Sequence, residues 1–332
     1  MHVQDPPAVT VSVAVCTKDR PEQLERLLHS LLRQSPPPYE VIVVDNAPST
    51  ERTRQLVAGS FPAFRYVREP VAGLDFARNR ALRESRGTVV AYIDDDAVAA
   101  PDWAEATRQV FAESPRIAVC MGKVEALTLD SEGARLFEAA GGFGRGNRRI
   151  HLPPGAGPKP PGFPVPFIGW CIRVGTGASM AVRRSVLLEL GGFDEALDMG
   201  AVLPGGGDLD ILWRVLEAHH ELIYEPRVQV WHEHRPSVEE VGRQLAGYGR
   251  AFTAMLTKAL RVAPWPRKAP VFAFLVWRLV KPMVKLVKRA FGKDPVPAAI
   301  LWSVLFNTWA GLMAYPAAQR LAAQRVAAVR GG

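Results

Sequence analysis

Three consecutive carboxylates, Asp94-Asp95-Asp96, follow directly on an apolar run, Thr88-Val-Val-Ala-Tyr-Ile93. Like charges side by side at the end of a buried strand repel one another, and each makes the next harder to ionise. A hard divalent cation with oxygen ligands removes that cost, and such an ion typically joins carboxylates to a substrate's phosphates. A solvated acidic turn is the plain reading of the same residues, and the apolar run feeding the cluster counts against it. Two other groups fit the same chemistry. Gly205-Gly-Gly-Asp208-Leu-Asp210 sets two carboxylates after a glycine run and ahead of a helical pattern over 211–216. Asp208 can cap that helix or take a proton from an attacking hydroxyl. Trp231-His232-Glu233-His234 closes an apolar run. A histidine there can ligate a metal, although a lone histidine is more often a packed or capping residue.

These residues need a frame that brings them together. Val9-Thr-Val-Ser-Val-Ala-Val-Cys16 and Glu40-Val-Ile-Val-Val44 read as strands buried on both faces. Phe64-Arg-Tyr-Val67, the run before Asp94, and Ile117-Ala-Val-Cys-Met121 are further strands. Between the first two, Pro21 suits a helix's first position, and Leu24, Leu27, Leu28, Leu31 and Leu32 recur at helical spacing until Pro36-Pro37-Pro38 stops them. A second helical pattern covers 76–86. Strands alternating with helices imply an α/β fold with a Rossmann-like, mostly parallel sheet. Such sheets bind ligands beyond the carboxyl ends of their strands. The first strand ends in Thr17 and runs into Lys-Asp-Arg-Pro rather than G-x-G-x-x-G, which argues against a dinucleotide turn, since nothing there lets a pyrophosphate approach the backbone closely. The second ends in Asp45-Asn46, where a carboxylate can accept from a ribose hydroxyl or a base imide, or simply start a turn. Further on, 152–166 holds seven prolines and three glycines and predicts an irregular loop. Strand-like runs resume at 177–182 and 221–231.

Charge divides the chain in two. The net charge of +8 combines +12 over 251–332 with −4 over 1–250. We therefore expect a body at 1–250 and a helical tail at 251–332 held near an anionic surface. Within the tail, Arg278, Lys281, Lys285 and Lys288 fall on one face of an apolar helix over 271–291, which Pro282 should kink. Then 295–319 carries no charge at all and is long enough to span a bilayer. Trp277, Trp302 and Trp309 suit the membrane interface. The tail predicts interfacial attachment, with a true span and an ordinary packed helical subdomain as the other readings. Aromatic and basic residues do not alternate as base stacking requires, so no nucleic-acid partner is expected. Cys16, Cys120 and Cys171 form no C-x-x-C pair and read as small buried hydrophobes in a reducing compartment. The polar, Pro-rich opening residues 1–10 predict no cleaved leader.

Taken in order, these motifs resemble family 2 glycosyltransferases with the GT-A fold, of the non-processive bacterial type. The residues that carry the resemblance are Val13-Ala-Val-Cys-Thr-Lys-Asp-Arg-Pro21, Glu40-Val-Ile-Val-Val-Asp-Asn46, Gly73-Leu-Asp-Phe-Ala-Arg-Asn79 and Ala91-Tyr-Ile-Asp-Asp-Asp96. Gly191-Gly-Phe-Asp-Glu195, Gly206-Gly-Asp-Leu-Asp210 and Trp231-His232 complete the set. The resemblance implies that Thr17, Asp45 and Arg78, with Asp94 and Asp95, hold the nucleotide sugar. It implies that Asp94 and Asp96 bind Mg²⁺ or Mn²⁺ on the donor diphosphate, that His232 completes the metal shell, and that Asp208 deprotonates the acceptor. The implied activity is inverting transfer from a nucleotide-diphosphate sugar, UDP-linked by default, to a hydroxyl on a cell-envelope glycan, a lipid-linked or a small-molecule acceptor. The implied place is the cytoplasmic face of the cell membrane, peripheral or single-pass. Three departures stand out: Gly207 where relatives carry Glu, Ser179 where an Asn is common, and Gln244-Leu-Ala-Gly-Tyr248 in place of the processive Gln-x-x-Arg-Trp signature. The loop 152–166 and Phe167-Ile-Gly-Trp170 are expected to border the acceptor. The competing readings are a sugar nucleotidyltransferase, which would want a glycine-rich phosphate loop after the first strand, and a non-catalytic glycan- or lipid-binding relative.

Overall fold

β1 (Val11–Thr17) is buried along nearly its whole length, and its β-branched residues pack on both faces. Val11, Val13 and Val15 meet Leu24, Leu27, Leu28 and Leu31 of α1 (Pro21–Leu32) in one core, whereas Ala14 faces a second core with Ile42 and Val44. Leu32, expected in the apolar stripe of α1, is instead 55% exposed, because it falls at the end of the helix beyond the buried face. The computed structural model describes residues 8–155, 159–164 and 168–331. The opening residues 1–7, Phe167 and two short parts of the 152–166 loop lie outside them.

β1 pairs in parallel with β2 (Glu40–Asn46) and β4 (Val89–Asp94), and β2 pairs in parallel with β3 (Arg65–Glu69). The crossovers are α1, α2 (Arg52–Ser60) and α3 (Leu74–Glu84). Register places Thr17 beside Asp45 and Cys16 beside Asp94, so the polar strand ends share one edge of the sheet. Beyond β4 the sheet is mixed. β8 (Ser179–Arg183) runs antiparallel to both β4 and β6 (Ile117–Ala126), and β9 (Glu221–His232) returns parallel to β6. Two three-residue strands, β5 (Ala97–Ala99) and β7 (Ile150–Leu152), pair antiparallel with β9. Both are too short to show a hydrophobic period. Their pairing with β9 makes them strands, and the β5 pairing sets Ala97 opposite His232.

The chain after β4 adds α4 (Trp103–Glu113), α5 (Glu132–Ala139), α6 (Ile168–Val174), α7 (Arg184–Glu189) and α8 (Gly207–Glu217). Three long helices follow: α9 (Val238–Val262), α10 (Trp265–Ala290) and α11 (Ala298–Gly331). The expected boundary at residue 250 falls inside α9, which runs through it unbroken. α10 is helical through both Pro270 and Pro282. α11 packs closely along α9: a Cβ on Gly249 would stand 2.7 Å from Thr308 Oγ1. Polar bonds also tie α11 to the body. Tyr315 donates to Asp194 at 2.6 Å, and Lys258 of α9 pairs with Asp194 at 2.6 Å and Asp210 of α8 at 2.7 Å. Near its end, Arg325 donates to the Ala72 carbonyl at 2.5 Å. The opposite face of α11 leaves Trp302, Phe306, Trp309 and Met313 in solvent. By length and composition α11 is the one helix among the described residues apolar enough to cross a membrane. Cys16, Cys120 and Cys171 form no disulfide among the described residues, and Cys120 and Cys171 are buried.

Candidate active site

A cavity of about 750 Å³ opens at the carboxyl edge of the sheet, lined by strand ends, by the start of α8 and by the tail. Asp94, Asp96 and His232 meet in it. Each offers one ligand atom, and these atoms all lie within 4.8 Å of one another. His232 Nε2 is 3.0 Å from Asp96 Oδ1 and 3.8 Å from Asp94 Oδ2. The β5–β9 register brings them together, because His232 lies opposite the residue that follows Asp96. Phe143 stands edge-on to the imidazole, 5.2 Å between ring centres, and His234 pairs with Glu138 at 2.8 Å rather than joining the cluster.

Burial pushes Asp96 up, but the hydrogen bond and charge of His232, with Arg20 and Arg235, outweigh it and hold the carboxyl at about 2. Asp94 is held above the usual carboxylate range by burial and by the charge of Asp96. For His232, burial favours the neutral ring, yet the Asp96 hydrogen bond and the two carboxylates raise it overall. Two carboxylates and an imidazole are a donor set suited to a divalent cation such as Mn²⁺ or Mg²⁺. The side chain of Asp94 remains 35% exposed, which leaves that face open to the cavity.

Asp95 has a different role. It accepts from Thr17 at 2.7 Å and pairs with Arg20 at 3.0 Å, and Arg20 also reaches Asp96 at 3.1 Å. Burial raises Asp95 to about 6 despite Arg20. Thr17 and Asp95 thus bind each other at the cavity wall, and Arg20 holds the acidic triplet in place. Sequence reasoning quoted Arg20 within a motif but assigned it nothing, because its pairing with Asp95 and Asp96 joins segments 75 and 76 positions apart.

Asp208 sits in the first turn of α8. Its Oδ2 accepts from the Gly177 amide and its Oδ1 from its neighbour Leu209, each at 2.8 Å, which fixes the carboxylate against the cavity. A Cβ on Gly177 would come within 2.7 Å of an Arg78 nitrogen, so any larger residue there would displace that guanidinium. Arg78 is buried and pairs with Asp75 at 2.9 Å and Asp198 at 3.5 Å. It therefore stands in the cavity floor beside Asp208. Asp45 is fully buried and is not among the residues lining the cavity; Tyr66 donates to it at 2.9 Å, and its Oδ1 has no partner among the described residues. Its neighbour Asn46 does line the cavity and staples the 71–73 loop by bonds to the Val71 carbonyl and the Gly73 amide.

Sequence reasoning missed Asp75 and Asp198. They explain the departure at 207. A Cβ on Gly207 would collide with both carboxylate oxygens of Asp75, and the Gly207 amide donates to Asp198 at 2.8 Å. The acidic neighbours of Asp208 therefore come from α3 and from the loop before α8. Gly207→Ala should destabilise the fold by about 1–3 kcal/mol through overpacking, read as a lower denaturant midpoint. Pairing it with Asp75→Ser should recover most of that loss, and strict additivity of the two changes would disprove the collision. Ser179 accepts from Trp103 Nε1 at 3.1 Å and packs inside the sheet. The described part of the 152–166 loop reaches α10, where Phe163 lies 5.4 Å from Trp277, itself a cavity residue.

Residues 12–151 match the model of glycosyl transferase family 2. The pre-mycofactocin glycosyltransferase of Mycobacterium tuberculosis is 25% identical over 240 residues, 72% of this chain and 46% of that protein. The glucosyl-dolichyl phosphate glucuronosyltransferase of Haloferax volcanii is 27% identical over 202 residues, 55% of this chain and 56% of that protein. The chain thus spans about half the length of these relatives. Among solved structures, the mannosyltransferase PcManGT of Pyrobaculum calidifontis, in complex with GDP-Man and Mn²⁺, superposes with a TM-score of 0.55 at 21% identity. That likeness covers 94% of this chain and 86% of the other, and it concerns the fold.

Proposed function

We propose, on the premise that this chain is a family 2 glycosyltransferase with the GT-A fold, that it transfers a sugar with inversion from a nucleoside-diphosphate sugar to an acceptor hydroxyl. The observation that carries this reading is the convergence of Asp94, Asp96 and His232 with Asp208 on one cavity. Asp94 and Asp96, with His232 Nε2, would hold the cation on the donor diphosphate. When bound, that ion supplies Lewis-acid stabilisation of the charge left on the departing nucleoside diphosphate. Arg20 keeps the carboxylates converged against their mutual repulsion, so the metal seat is formed before the ligand arrives. Asp208, oriented by the Gly177 and Leu209 amides, accepts the proton of the attacking hydroxyl. One displacement with a base on the acceptor side inverts the anomeric centre. Thr17, Asp95 and Asn46 form the donor wall. Arg78, held by Asp75 and Asp198, sets a positive charge near Asp208.

Gln244 donates to Tyr248 at 2.8 Å at the cavity wall, where processive relatives carry their signature, and this supports transfer of one or a few sugars. The donor class is tested by incubating the full chain with UDP-, GDP- and dTDP-sugars and Mn²⁺ or Mg²⁺. We expect metal-dependent release of nucleoside diphosphate from one donor family, and no release from any would refute the assignment.

The tail supports peripheral attachment to the cytoplasmic membrane face. The bonds of Tyr315 and Arg325 to the body favour a helix lying along the membrane surface over a span. Lys288, Arg289 and Lys293 lie exposed at the end of α10. Each cation near an anionic surface contributes about 1 kcal/mol. The triple Gln variant should therefore bind phosphatidylglycerol vesicles roughly a hundredfold more weakly in co-sedimentation. Equal binding would place attachment elsewhere.

A further inference from the structure

Two cations on the α10 wall of the cavity have no counter-ion among the described residues. Arg278 and Lys281 of α10 both line it, and among the described residues neither pairs with a carboxylate. Instead, the Arg278 guanidinium lies 5.4 Å from the Phe252 ring centre and Lys281 Nζ lies 4.8 Å from that of Trp277. Arg278 Nε is buried without a hydrogen-bond partner. Burial alone lowers Arg278 to about 10, and burial with the charges of Arg278 and Lys285 lowers Lys281 to about 8. The other cavity cations are satisfied differently: Arg20 and Arg78 are each neutralised by two aspartates, Arg145 and Arg325 donate to main-chain carbonyls, Lys18 is exposed to solvent, and the charge of Arg235 acts on Asp96. A desolvated, mutually repelling pair is costly, and an anion held between guanidinium and ammonium removes that cost.

The surface beside the pair indicates what carries the anion. On α10, Phe272, Val276, Val280, Met283, Val284 and Val287 are between 43 and 59% exposed and share one helical face. The helical spacing sets that face next to the one bearing Trp277 and Lys281, so an apolar strip borders the mouth of the cationic wall.

We propose that Arg278 and Lys281 form an anion subsite in the acceptor half of the cavity, taking the phosphate of an amphiphilic acceptor whose hydrocarbon chain lies along the exposed face of α10. This rests on the glycosyl-transfer reading and specifies its acceptor as a lipid-borne phosphate ester. The tail then holds the acceptor as well as the membrane. It presents the acceptor's hydroxyl to Asp208 from the side opposite the metal seat.

The test is a titration of the full chain, with Mn²⁺ and UDP or GDP present, using dodecyl phosphate, dodecyl glucoside and inorganic phosphate. Dodecyl phosphate should bind at least about tenfold more tightly than either of the others, as expected for a charge-assisted site with an apolar extension. Arg278→Gln/Lys281→Gln should erase the preference over dodecyl glucoside, and Lys281→Arg should keep it. If the double variant does not fold, Lys281→Gln alone carries the same readout, with a partial loss of preference expected. Equal affinity for dodecyl phosphate and dodecyl glucoside in the unaltered chain, or a preference unchanged in the variants, would overturn the subsite. Inorganic phosphate binding as tightly as dodecyl phosphate would overturn the lipid assignment. The metal-dependent thermal shift with nucleoside diphosphate is read separately: its absence from every form refutes the transfer reading, while the alkyl-phosphate preference still decides the subsite.

Discussion

Asp208→Asn should transfer sugar roughly 10²- to 10⁴-fold more slowly than the unaltered chain, the range expected when a positioned general base is lost. Asn keeps the shape of the side chain and can still accept from the Gly177 amide through its Oδ1, so the start of α8 stays in place. What it loses is a basic lone pair facing the cavity. Nucleoside diphosphate with Mn²⁺ should stabilise the variant as it stabilises the parent, because the base touches no donor-side residue among Thr17, Asn46 and Asp95. Pre-steady-state transfer and thermal shift together make the check. Near-normal turnover would move the base elsewhere, and the loss of both readouts would mean that Asp208 belongs to the donor seat.

Chelation, or Asp96→Asn, should remove transfer almost completely, by about 10³-fold or more. The metal's Lewis-acid contribution amounts to several kcal/mol, and every 1.36 kcal/mol is a factor of ten. Asp96 is the residue to change because it alone bonds both His232 and Arg20. Removing its charge withdraws a ligand and frees the imidazole that it orients. Added Mn²⁺ should restore the chelated parent and leave Asp96→Asn inactive, and the stabilisation by nucleoside diphosphate should disappear in the variant. Asp95→Asn is the matched control: it removes a neighbouring carboxylate already held by Thr17 and Arg20. It should retain metal-dependent stabilisation, so an equal loss from both variants would break the division of roles within the triplet.

Much of the frame is legible along the chain because it is written in short periods. The unbroken β-branched run of β1 announces a strand covered on both sides, and it lies between two cores. The three- and four-residue spacing of leucines in α1 announces its buried face, down to the last turn, where Leu32 escapes into solvent. Asp94-Asp95-Asp96 is readable as a ligand cluster because the repulsion is local. The same locality made Asp208 visible as a carboxylate at a helix start, although its Gly177 partner was not.

Sequence by itself therefore determined the α/β alternation, the strand ends that carry carboxylates and the basic, apolar character of the tail. Tertiary structure alone decided which of these groups meet. His232 reaches Asp96 across 136 positions of chain through the β5–β9 register, a three-residue pairing with no period of its own. Asp75 and Asp198 converge on Arg78 from two separate elements and take up the space that a side chain at 207 would need. The tail, read as a membrane element, also supplies a wall of the cavity through Trp277, Arg278 and Lys281. Periodicity encodes which face of an element is buried. The burial of one face against another, and hence the partners of a charge, depends on packing that brings distant segments together, and no local pattern contains it.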